Sequence, residues 1–152
     1  MRRSAPIALA GLFALGACEG SPTQPFCGEV NSPATLQLTS ETTAFGTVQS
    51  GPLAGTFTIQ ITRNTPGTNN TRNLELRHAF VTTPGDTLFT RDTGVLTLAS
   101  QTQGSFSETL TVERGTGRFR SAQGTFTASA TANFQTGTGQ ATFAGQLCGL
   151  RR

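Results

Sequence analysis

The chain has 152 residues with eleven basic residues, eight acidic ones and a single histidine, for a formal net charge of +3. All the basic residues are arginine, and Arg2 and Arg3 belong to a leader, so nine arginines face eight acids in the remainder, a net +1. That balance gives no reason to expect nucleic acid as a partner, and the length suits one small domain whose bulk comes from eleven Phe in the absence of Tyr and Trp.

Arg2-Arg3 precede an apolar run from Ala5 to Leu15 and then small residues. The run is too short for a permanent transmembrane helix and reads as a secretion signal. Leu15-Gly16-Ala17-Cys18 is similar to the bacterial lipobox. That resemblance implies cleavage before Cys18 and a diacylglycerol on its sulfur, so the partner would be a membrane. Several acyl chains anchor stably where one is marginal. Glu19 is not the aspartate that favours inner-membrane retention in enterobacterial lipoproteins, so the outer membrane is the preferred location in a bacterial cell envelope. The expected division is 1–17 signal peptide, 18–27 lipidated N-terminus and tether, and 28–149 barrel. The tether contains Gly20, Pro22 and Pro25.

Cys27 and Cys148 remain, bracketing the domain in an oxidising compartment. A disulfide between them is expected; two free buried thiols are the alternative.

Period-two alternation then recurs along the chain. Ala34, Leu36 and Leu38 share one face of a strand, Phe45–Gln49 reads as a second short one, and Phe57, Ile59 and Ile61 mark a third. Asn64–Thr71, with Pro66-Gly67, reads as a loop. Leu74, Leu76, His78 and Phe80 share the next face, and Pro84-Gly85 turns the chain. Thr87–Thr90 and Gly94–Ala99 are expected to form a hairpin around Asp92-Thr93-Gly94. Phe106, Glu108, Leu110 and Val112 alternate with Ser107, Thr109 and Thr111. Gly115-Thr116-Gly117 interrupts the run. Phe126 to Phe134 and then Ala141, Phe143 and Leu147 complete an antiparallel meander. No run has helical periodicity.

Gly115-Thr116-Gly117-Arg118-Phe119, followed by Ala122 and Gly124, resembles an element of the allene-oxide-cyclase/dirigent barrel superfamily, in particular its uncharacterised bacterial secreted branch. Pro84-Gly85-Asp86-Thr87-Leu88-Phe89 resembles a second segment of those proteins. The resemblance spans Leu74–Leu147 and implies an all-β fold: one small, calycin-type closed barrel of about eight antiparallel strands. Arg114 stands where those proteins usually have a further glycine. The catalytic residues of the plant cyclases and of the dirigent proteins match no positions here, so no activity is carried over.

His78 and Glu108 are the candidate site residues. Both fall in the apolar phase of their strands, where a carboxylate or imidazole needs a partner or shifts its pKa. They could pair with each other or meet a ligand in the lumen; a watery barrel mouth is the alternative. Asp92-Thr93-Gly94 copies the aspartic-protease triplet, but that chemistry needs two carboxylates sharing a proton, and a turn is the reading preferred here. A lone histidine leaves no zinc set, the paired glycines lack a dinucleotide fingerprint, and no serine elbow occurs. No cofactor, metal or catalytic residue is expected. Arg114, Arg118, Arg120, Arg151 and Arg152 read as a solvated strand end rather than an anion site. The expectation is a non-enzymatic barrel binding a small apolar ligand or a partner. The alternatives are a cyclase- or isomerase-like enzyme working in the lumen, or a purely structural envelope protein. Nothing in the sequence bears on oligomeric state.

Overall fold

The computed structural model describes residues 24–152; the leader, Cys18 and most of the tether lie outside the described residues. Eight antiparallel strands follow one another around a closed barrel: β1 (Phe26–Leu38), β2 (Thr43–Val48), β3 (Gly55–Pro66), β4 (Thr71–Thr82), β5 (Thr87–Leu98), β6 (Gln103–Gly115), β7 (Thr125–Asn133) and β8 (Thr138–Leu150). Each strand pairs with its neighbour in sequence, and β1 closes on β8 from Phe26↔Leu150 to Gln37↔Thr138. Closure leaves no free sheet edge. Alternation decides which side chains enter: Leu74, Leu76, His78 and Phe80 of β4 are all buried, while Glu75 and Arg77 point out.

The two ends differ. At one end the β2–β3 loop contributes Leu53, and a short 3-10 turn at Gly117–Phe119 after β6 contributes Phe119; both are fully buried. They join Phe57, Phe80, Phe126 and Phe143 in the main core and close that end. Gly117 lies at φ +53, and a Cβ there would overlap the Asp86 carboxylate. That carboxylate accepts the Arg118 amide at 3.3 Å, and the Arg118 guanidinium donates to the Pro52 carbonyl. The glycine-rich segment is thus a structural lock. Cys27 and Cys148 are bonded at the same end across a sequence separation of 121. A loop of that length is worth about 4–5 kcal/mol by chain entropy, an upper figure. The opposite end carries the turns after β1, β3, β5 and β7, and its smaller core of Leu74, Leu76 and Leu96 leaves space.

One expected element is corrected. Asp92-Thr93-Gly94 is not a turn: β5 runs unbroken from Thr87 to Leu98, paired with β4 on one side and β6 on the other. Local turn chemistry yields to pairing on both edges, because Asp92 finds interior partners for its carboxylate. The glycine serves another purpose. Gly94 lies opposite Glu108 in the β5–β6 register, and a Cβ there would come within 2.7 Å of the Glu108 Cγ. The loop expected over Asn64–Thr71 is also shorter, since β3 reaches Pro66 and β4 starts at Thr71. Asn69 and Asn70 make the reversal at φ 52 and 61.

Candidate functional site: a polar triad under an apolar cavity

Three adjacent strands each deliver one ionisable side chain to the interior: His78 from β4, Asp92 from β5 and Glu108 from β6. Their side chains are 1%, 0% and 6% exposed, so water does little to screen them. His78 Nδ1 stands 2.8 Å from Asp92 Oδ2, and the Thr90 hydroxyl donates to the same oxygen at 3.0 Å. A carboxylate accepts only, so Nδ1 carries the proton. The other ring nitrogen, Nε2, faces Glu108 Oε2 at 3.8 Å. Aromatic rings hold the imidazole in place. Phe80 stacks on it at 5.6 Å with a 9° interplanar angle, Phe57 stacks at 6.0 Å, and Phe143 meets it edge-on at 6.0 Å.

His78 and Glu108 are brought together as their strand phase implies. Asp92 completes the set, and reading its triplet as a turn missed it. The signal was present: Leu88, Thr90, Asp92, Leu96 and Leu98 keep one phase along β5, which puts Asp92 indoors.

The two carboxylates differ in partners. Asp92 has Oδ2 doubly engaged and Oδ1 buried without a partner. Glu108 makes no side-chain hydrogen bond among the described residues. Burial pushes its pKa above the ordinary 4.5, the His78 charge pulls it back in part, and Asp92 raises it further.

Glu108 and His78 form the floor of a cavity of about 120 Å³ that runs toward the roomier end of the barrel. Its walls include Phe57, Leu74, Leu96, Phe106, Phe134 and Phe143. Ser40, Glu41 and Thr42 of the β1–β2 turn stand at its rim and are exposed. The lumen is therefore filled by its own side chains at one end and hollow at the other. Among the described residues, no cluster of His, Cys, Asp and Glu is arranged to hold a metal.

The arginines singled out from the sequence do not converge on the cavity. Arg114 packs over Phe89 at 4.4 Å, Arg118 over Phe119 at 4.9 Å and Arg152 over Phe26 at 5.8 Å, while Arg151 donates to the Ser121 hydroxyl at 3.1 Å. Each covers an aromatic ring or ties down a loop near the closed end. Comparison with protein-family models, curated proteins and solved structures finds no match.

Proposed function

We propose that this chain is a lipid-anchored bacterial envelope protein whose barrel binds a small apolar molecule carrying one polar group. The observation that carries the reading is the apolar cavity with Glu108 and His78 at its floor. Ligand pockets combine predominantly apolar walls with a few placed polar groups. A buried carboxyl without a hydrogen bond is costly to keep, and such groups concentrate at functional sites. A cavity of this size suits a body of about one six-membered ring, by comparison with engineered cavities of about 150 Å³ that take benzene.

The anchor is the lipobox-like Cys18, eight residues before β1, with the outer membrane preferred over the inner. β1 starts at the closed end, so such an anchor would set that end toward the membrane and the cavity mouth away from it. The likeness of Gly115–Gly124 and Pro84–Phe89 to the allene-oxide-cyclase/dirigent barrels belongs to the same proposal, without their activities.

A second reading, cyclase- or isomerase-like proton transfer, is favoured by one feature. Asp92 holds the ring at Nδ1 so that Nε2 and the Glu108 carboxyl face the same space. Native mass spectrometry of the mature protein extracted from its own membranes tests the binding reading. A bound small molecule at one per chain is expected. A protein that is ligand-free as isolated and takes up none of a panel of single-ring compounds would refute it.

A further inference from the structure

The triad places one imidazole between two carboxylates. No arginine lines the cavity, and the chain contains no lysine. With His78 protonated one negative charge in the interior lacks a cationic partner, and with His78 neutral two do, unless a carboxyl keeps a proton. Asp92 is engaged by His78 and Thr90. Glu108 is the group left over, nine-tenths buried and without a hydrogen bond among the described residues. Burial raises its pKa, and Asp92 raises it further, the direction expected of a carboxyl without a cationic partner. The walls suit a cation with an apolar body, since Phe57, Phe106, Phe134 and Phe143 line the space and ring faces attract positive charge.

We propose that the ligand class of this cavity is a small protonated amine with an apolar body of about one ring, its ammonium on the Glu108 carboxylate and its body among the phenylalanines. The inference rests on the small-ligand reading and narrows it. His78 is a positioning residue here: held by Asp92 at Nδ1, it keeps the second carboxylate occupied and leaves Glu108 to the ligand. The titratable groups facing Glu108 are His78 from β4 and Asp92 from β5; β7 offers Ala128 and Ala130, and Glu41 stands at the rim.

The test is isothermal titration of the mature protein with benzylamine and its neutral isostere benzyl alcohol near pH 7. Benzylamine is expected to bind about tenfold tighter or more, as for a charged hydrogen bond in a dry site. Glu108→Gln should melt no lower than wild type and bind benzylamine about tenfold more weakly or worse. The wild-type comparison stands without the variant. Equal or tighter binding of benzyl alcohol would overturn the amine assignment and leave the small-ligand reading in place. Binding of neither compound would overturn the amine assignment, and if the wider panel of ring compounds also fails, the small-ligand reading falls with it. Undiminished amine binding by a folded Glu108→Gln would remove Glu108 as the counter-ion.

Discussion

Asp92→Ala removes the acceptor that organises the triad. Oδ2 takes two buried hydrogen bonds, from His78 at 2.8 Å and Thr90 at 3.0 Å. Bonds of this kind to a charged group contribute about 1.5–3 kcal/mol each. Against that stands the desolvation of a carboxylate whose Oδ1 has no partner, worth about 1–3 kcal/mol in returned hydration. The net loss is about 3 kcal/mol, in line with breaking a buried pair by removing one member. Asp92→Asn keeps an oxygen for His78 Nδ1 and should lose only about 1 kcal/mol. The assay is urea denaturation followed by circular dichroism, with the slope compared between variants so that the midpoint reports stability alone. A Asp92→Ala midpoint within about 0.5 kcal/mol of wild type would refute the claim that this carboxylate holds the imidazole. So would equal losses in the two variants, because only Asp92→Asn retains an acceptor for His78 Nδ1.

Glu108 should behave in the opposite sense. Its folded pKa lies above the ordinary 4.5, so the native state binds this proton more tightly than the unfolded chain does. Stability is then fullest below that value and falls as pH rises through the folded pKa; Glu108→Leu should flatten that decline and leave the fold intact or firmer, read from melts across pH, and a sharp loss of stability would make Glu108 part of a structural network. Gly117→Val should cost about 1–3 kcal/mol, because a β-branched residue resists φ +53 and its Cβ displaces Asp86; an unchanged denaturation midpoint would show that the lock needs no glycine. Replacing Cys27 and Cys148 by serine should lower stability by about 2–5 kcal/mol, and peptide mapping of the native protein without reductant should recover the two joined. Cys18→Ser should abolish incorporation of labelled palmitate; labelled variant protein would remove the anchor from the account.

Much of the barrel is legible in alternation alone. Leu74, Leu76, His78 and Phe80, or Phe106, Glu108, Leu110 and Val112, declare their inward face because a closed sheet has only two sides. His78 and Glu108 stand out for the same reason: polar residues in an apolar phase are conspicuous. Asp92 was hidden by a stronger local signal. Asp-Thr-Gly favours a turn, and what overrides it is pairing with two neighbouring strands, which no window of the sequence contains. The closed end was equally illegible. Leu53 and Phe119 come from loops, where there is no phase to read, and their burial follows only from how the loops fold over the barrel. The hollow end depends on that closure, so the cavity could not be placed before the barrel was seen whole.

The proposed ligand enters the roomy end and stops at the triad. Methyl-labelled NMR of the mature protein, titrated with single-ring amines and their neutral isosteres, tests it directly. Saturable shifts are expected at the methyls of Leu36, Ile59, Leu74 and Leu96, which line the cavity. Leu53, Leu88 and Leu147, which pack in the main core, should stay silent. Shifts confined to the latter group, or none with any compound, would contradict it.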